Sequence, residues 1–209
     1  MDVLGIVGSC RKGGNTDMLT LKVLEGVEKS GLSTEIIYLS DHTFSGCTGC
    51  EGCQRSPRCV VRDDMQNLYP LLEQARGLVL GSPTYFYNVT GLAKNFIDRL
   101  YCYEFFDKTD RSVWIGLHEV LGIKYAVTVA VCEQESAEDM GFASEALGKS
   151  LTAVGYRVID AVKAYRAFAK GAVAHQPETL ARACKAGEKL AGTLKLHDQV
   201  KQLRLKNTP

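Results

Sequence analysis

The 209-residue sequence predicts a doubly wound α/β domain, a five-stranded parallel sheet with helices on both faces. Two observations lead there. Short apolar, strand-like runs alternate with longer helical patterns along the whole chain. One of those runs, Lys124–Val131, is continuous in apolar and β-branched residues, as a strand covered on both sides should be.

Taken in order, Val3–Val7 is the first strand. Residues 18–29 follow as a helix, with Leu19, Val23, Leu24 and Val27 on one stripe. Residues 34–39 form the second strand and lead into a cysteine-rich loop at about 46–60. Asp63 and Asp64 then cap a helix that runs to about residue 75, because carboxylates accept unpaired N–H groups and suit the positive helix end. The third strand is residues 77–81, and residues 91–103 are helical. A polar and aromatic connection reaches residue 122, and the fourth strand follows it. Residues 138–154 are helical and 156–162 are the fifth strand. A closing helix starts with proline in its first turn at Pro177 and ends near residue 196, leaving the basic stretch 201–209 as a frayed end. No repeat or linker divides the chain, so residues 1–209 are expected to be one domain.

Lys plus Arg (25) nearly balances Asp plus Glu (24), so no strong field draws nucleic acid or an anionic membrane. The first residues lack the basic and apolar runs of a signal peptide, and no stretch approaches the ~20 apolar residues of a membrane span. The expectation is a cytoplasmic protein, where eight cysteines point to metal or redox use rather than structural disulfides.

In a sheet of this kind ligands sit beyond the carboxyl ends of the strands. The first such loop is Gly8-Ser9-Cys10-Arg11-Lys12-Gly13-Gly14-Asn15-Thr16, which opens directly into a helix. Small residues, including Gly14, let backbone N–H groups approach an anion, and the helix start adds favourable partial charge. Ser9, Asn15 and Thr16 offer side-chain donors and Arg11 a fork suited to phosphate. The plain alternative is a glycine-rich turn in which Thr16 caps the helix. A Walker loop is excluded because Gly14-Asn15-Thr16 stands where Lys-Ser/Thr is needed, and G-x-G-x-x-G is absent here. A terminal monophosphate fits best. Cys10 reads as a small packing residue.

The loop after the third strand, Ser82-Pro83-Thr84-Tyr85-Phe86-Tyr87-Asn88, puts three adjacent aromatics at the sheet rim. Their faces can stack on a ring while the backbone near Thr84 and Asn88 offers donors. The same aromatics can equally pack downward into the core. The loop after the fourth strand, Cys132-Glu133-Gln134-Glu135-Ser136, is acidic and lacks glycine.

Cys47, Cys50, Cys53 and Cys59 are spaced C-x2-C-x2-C-x5-C, with Gly46, Gly49 and Gly52 among them. Structural zinc usually takes two well-separated pairs, whereas consecutive C-x2 steps match ferredoxin-type iron–sulfur ligation. Three readings stand: an iron–sulfur cluster, zinc, or thiols without metal. Cys102 and Cys184 read as ordinary packing residues, Cys132 ends a central strand near the site with no base to pair it, and the four histidines read as surface or structural groups.

Together these residues resemble the flavodoxin-like, NAD(P)H-dependent FMN reductase superfamily. The likeness covers about residues 1 to 165. It lies in G-S-x-R-x-x-G-N-T from Gly8 to Thr16, G-S-P-x-Y from Gly81 to Tyr85, and an L-K-x-x-x-D-R pattern. That last pattern is read in Leu92, Lys94, Asp98 and Arg99, with Ala93 intervening. Within it, the compact cysteine loop followed by Asp63-Asp64-Met65 looks most like the iron–sulfur flavoproteins of anaerobic archaea and bacteria. The resemblance implies FMN with its phosphate at Ser9, Arg11, Asn15 and Thr16 and its ring against Pro83, Thr84, Tyr85, Phe86, Tyr87 and Asn88. It also implies a [4Fe–4S] cluster on the four cysteines. A ferredoxin-like one-electron donor is implied, with an acceptor such as dioxygen, peroxide or a quinone. So is a homodimer or homotetramer with FMN near the subunit interface. The competing expectation is an NAD(P)H-dependent FMN or quinone reductase whose cysteine loop binds zinc or no metal.

Overall fold

The structure is a computed structural model and describes residues 1–206. Its main sheet has five parallel strands in the order β2 (Thr34–Tyr38), β1 (Val3–Val7), β3 (Gly77–Tyr85), β7 (Lys124–Val131) and β8 (Tyr156–Ala164). The chain leaves β1 toward one edge and β3 toward the other. Their carboxyl ends therefore diverge and open a crevice there.

Strand alternation divides the core into two halves. Leu4, Ile6, Leu78, Leu80 and Ala126 pack on α2 (Met65–Gln74), α3 (Gly91–Arg99) and α6 (Ala143–Ala153). Val3, Val79, Val127, Val129 and Val162 pack on α1 (Asn15–Lys29) and α7 (Pro177–Lys206). The predicted order of strands and helices is the observed one.

The differences lie in the connections. Strand β3 runs four residues beyond its predicted end and turns back as β4 (Asn88–Val89), so the aromatic loop is a β-hairpin. The predicted helix 91–103 tightens into a 3-10 turn after Arg99. The connection to residue 122 contains a second hairpin, β5 (Glu104–Phe106) with β6 (Trp114–Gly116), and the short α4 (Leu117–Leu121). The predicted helix 138–154 is broken at Gly141, whose φ is +55°, into α5 (Ala137–Met140) and α6. A Cβ at Gly141 would lie 2.5 Å from the Tyr87 carbonyl oxygen, so the break makes room for the β3–β4 hairpin. Helix α7 continues to Lys206, past its predicted end; of the expected frayed stretch, residues 207–209 lie outside the described residues. Among the described residues no helix is long and apolar enough to cross a membrane.

Candidate cofactor and metal sites

The phosphate loop is fixed at both ends before any ligand is considered. Gly8 N–H donates to the Gly81 carbonyl (2.7 Å), and the Thr90 hydroxyl donates to the Gly8 carbonyl (2.6 Å) while capping α3. A Cβ at Gly8 would sit 2.7 Å from that of Ala93, which is how an alanine inside the L-K-x-x-x-D-R pattern is accommodated. Gly13, at φ +68°, donates its N–H to Asp17 (2.6 Å), and Gly14 opens α1 with no side chain capping it. The N–H groups of the first turn are thus left facing the loop without a competing side chain. Ser9 Oγ accepts from Arg11 N–H (3.1 Å). Asn15 departs from its expected side-chain role. Its amide donates to the carbonyls of Ala167 and Ala169 (2.8 Å each), and its Oδ1 accepts from Val173 N–H (3.2 Å). The side chain ties α1 to the segment after β8, leaving only backbone for an anion.

Ser9, Arg11, Gly14, Asn15, Thr16, Pro83, Thr84 and Tyr85 line one open cleft at the crevice between β1 and β3. Phe86 and Tyr87 line an adjoining hollow with Thr84 and Cys132, while Asn88 lines neither and accepts from Val89 N–H (2.8 Å). The cleft gains Val131, Glu133, Ala167, Phe168 and Lys170, which the sequence reading missed. Phe168 and Lys170 follow the last parallel strand and so reach the same sheet edge as the other loops. An aromatic beside a lysine at that point was the available signal. Thr84 Oγ1 is buried with no partner, an orphaned hydroxyl in the cleft wall. A helix start without a cap, two cations and a polar orphan beside apolar walls suit a phosphorylated, ring-bearing ligand.

The β3–β4 turn is strained. Phe86 (φ 46°) and Tyr87 (φ 62°) occupy its two central positions, where asparagine and glycine are favoured. Phe86 is 100 % exposed, so its ring stabilises nothing within this chain. Tyr87 is held by its carbonyl, which accepts from Phe142 N–H (2.7 Å). Strain carried by an exposed aromatic at a cleft rim is of the kind that clusters at ligand sites. Phe86→Gly is therefore expected to stabilise the chain by about 1 kcal/mol while weakening FMN retention. Thermal unfolding and flavin fluorescence on the same sample measure both. A destabilised variant with unchanged flavin affinity would assign the ring a structural role.

The neck of the cysteine loop is clamped from two sides. Asp64 accepts from Thr43 N–H (2.7 Å); Asp63 accepts from Ser45 N–H (3.2 Å) and from Met65 N–H (3.1 Å) at the start of α2. Asp63, rather than Asp64, thus makes the helix-capping bond. Arg99 binds Asp63 through both terminal nitrogens (2.6 and 3.0 Å) and reaches the carbonyls of Ser45 (3.0 Å) and Val61 (3.4 Å). Burial works against the charged form of Asp63, but Arg99 outweighs it and holds the carboxyl below its ordinary range.

Beside this clamp Cys47, Cys50, Cys53 and Cys59 line a single pocket. Cys102 is buried in the core, as its packing reading expects, and also lines this pocket; burial pushes its thiol up to about 12. The four thiols differ in environment. Gly52 N–H and the Thr48 side chain favour the Cys50 thiolate and lower its pKa, whereas burial raises that of Cys53. Among the described residues, no three His, Cys, Asp or Glu side chains form a group able to hold one metal ion. A lone zinc needs its sulfurs about 2.3 Å from one point. Four cysteines lining one pocket match in number the thiolates that a single zinc or a cubane cluster takes.

Comparison with known proteins agrees with this geometry. The family model described as NADPH-dependent FMN reductase matches residues 1–162. An iron–sulfur flavoprotein of Archaeoglobus fulgidus is 41 % identical over 103 residues, 49 % of this chain and 47 % of the relative. One from Methanocaldococcus jannaschii is 37 % identical over 99 residues, 47 % of this chain and 51 % of the relative. The chain spans about half the length of the curated relatives it matches. Among solved structures, a flavone reductase superposes with TM-score 0.68 at 21 % identity, covering 93 % of this chain and 63 % of that one. The NAD(P)H:quinone oxidoreductase of Methanothermobacter marburgensis gives 0.65 at 19 %, covering 91 % and 96 %. These two show a shared fold. With its phosphate loop, rim hairpin and cysteine pocket in place, the chain belongs to the NADPH-dependent FMN reductase family of flavodoxin-like FMN oxidoreductases, grouping there with proteins named iron–sulfur flavoproteins.

Proposed function

We propose that this chain is an electron-transfer flavoprotein that couples a [4Fe–4S] cluster on Cys47, Cys50, Cys53 and Cys59 to FMN in the cleft between β1 and β3. One observation carries the reading: α3 joins the two sites. Its cap, Thr90, holds the phosphate loop, its Ala93 abuts Gly8, and its last residues, Asp98 and Arg99, line the cysteine pocket. Nine helical residues span roughly 13 Å at 1.5 Å per residue. When bound, the cluster supplies single electrons and FMN handles one or two, so the protein's part is placement and tuning.

The chain's residues divide that work. Arg11, Lys170 and the start of α1 hold the phosphate; Pro83, Thr84 and Tyr85 flank the ring. The Asp63–Arg99 clamp keeps the cysteine loop closed on its contents. A ferredoxin-like protein is the proposed donor and dioxygen, peroxide or a quinone the acceptor, in the cytoplasm. Exposed Tyr85, Phe86 and Tyr87 at the cleft mouth support a homodimer or homotetramer with FMN near its interface. The second reading, an NAD(P)H-dependent FMN or quinone reductase with zinc or no metal in the loop, is favoured by the description of the matching family.

Anaerobic purification with iron, sulfide, zinc and FMN measured on one preparation separates the two. About four irons and one FMN per chain, with faster reduction by ferredoxin than by NADPH, are expected. Stoichiometric zinc with rapid NADPH oxidation would overturn the proposal.

A further inference from the structure

The Arg99 side chain is completely buried, with 0 % exposure, and is the only cationic side chain lining the cysteine pocket among the described residues. A guanidinium has five N–H groups. Its two terminal nitrogens donate to Asp63, Ser45 and Val61, whereas Nε is buried with no partner at all. Leaving a charged group's donor unmade inside a protein is unfavourable, and this one cannot be relieved by rotation. The bidentate grip of Asp63 on the far edge, together with the two carbonyls, fixes the plane of the guanidinium. The arrangement leaves one rigid, charged donor unsatisfied on a side chain that shares a cavity with four cysteines.

We propose that Arg99 donates its Nε–H to a sulfur of the iron–sulfur centre in this pocket and thereby raises its reduction potential; this rests on the cluster reading above. A donor to cluster or cysteinyl sulfur stabilises the more negative, reduced state. Lysine in the same place brings a flexible point charge instead of a fixed planar edge, so it does not reproduce the bond. Arg99 is on this view a positioning and tuning residue.

The test uses the whole chain, purified without oxygen and labelled with ¹⁵N at the arginine ε position. Pulsed electron paramagnetic resonance of the dithionite-reduced centre is expected to show a weak ¹⁵N coupling that disappears in Arg99→Lys. In redox titration, Arg99→Lys is expected to shift the oxidised-to-reduced ratio at fixed potential at least tenfold toward the oxidised side. For one electron that corresponds to about 59 mV. Should the variant not fold, the labelled wild-type spectrum decides alone. An iron-loaded sample without ¹⁵N coupling overturns this proposal and leaves the cluster reading intact. A sample without iron overturns both.

Discussion

Asp63→Ala is expected to destabilise the chain by about 3–5 kcal/mol, the range for removing one partner of a buried ion pair. The Arg99 side chain is fully buried and Asp63 only 15 % exposed, so water cannot replace the lost carboxylate. The change also releases Ser45 N–H and Met65 N–H, opening the neck of the cysteine loop and the first turn of α2 together. Chemical denaturation measures the stability, and iron release to a chelator reports the loop, with retention falling in parallel. Asp63→Ala combined with Arg99→Met should recover part of the stability, since the orphaned charge is then gone. A loss below 1 kcal/mol in the single variant would mean the pair contributes only as a surface bridge does. The sign with pH follows from the depressed carboxyl of Asp63. Its contribution is complete above the ordinary carboxylate pKa near 3.9 and is lost as pH falls through the lower folded value.

The sheet was legible in the sequence because its central strands β1, β3 and β7 are buried and read as apolar runs, Lys124–Val131 most plainly. The site was legible where function needs special residues. Gly13 and Gly14 mark a close backbone approach, and the C-x2-C steps mark a shared pocket. What escaped depends on contacts distant in sequence. The break at Gly141 follows from Tyr87, more than fifty positions away, and a local helical pattern carries no trace of it. Asn15 looked like a phosphate donor because its type and place suit one; only the fold brings Ala167, Ala169 and Val173 to its side chain. The β5–β6 hairpin was hidden by brevity, since three-residue strands lack a readable period. Cys102 is the buried packing residue its sequence suggests, but nothing in its neighbours along the chain tells of the pocket it also lines.

Gly187→Ala is expected to destabilise by about 3 kcal/mol or more, at or beyond the upper range for forced overpacking. Helices α1 and α7 meet backbone to backbone through two glycines. A Cβ at Gly187 would lie 1.9 Å from the Val23 carbonyl oxygen, and one at Gly26 would lie 2.0 Å from that of Cys184. Neither obstacle is a side-chain tip able to rotate away, so the helices themselves must separate. Separation breaks the contact of Leu19, Val23 and Val27 with Ala183, Ala186 and Leu190, all fully buried. It also displaces α1, whose first turn opens from the proposed phosphate loop and is tied by Asn15 to the segment just before α7. FMN retention should therefore fall with stability although residue 187 lies outside the cleft. Gly192→Ala, on the same helix with nothing within 4 Å of its new Cβ, is the control. It should stabilise by roughly 0.5–1 kcal/mol through helix propensity alone. Equal effects at the two positions would show that the helices have slack at their crossing and that the phosphate loop does not depend on how closely they pack.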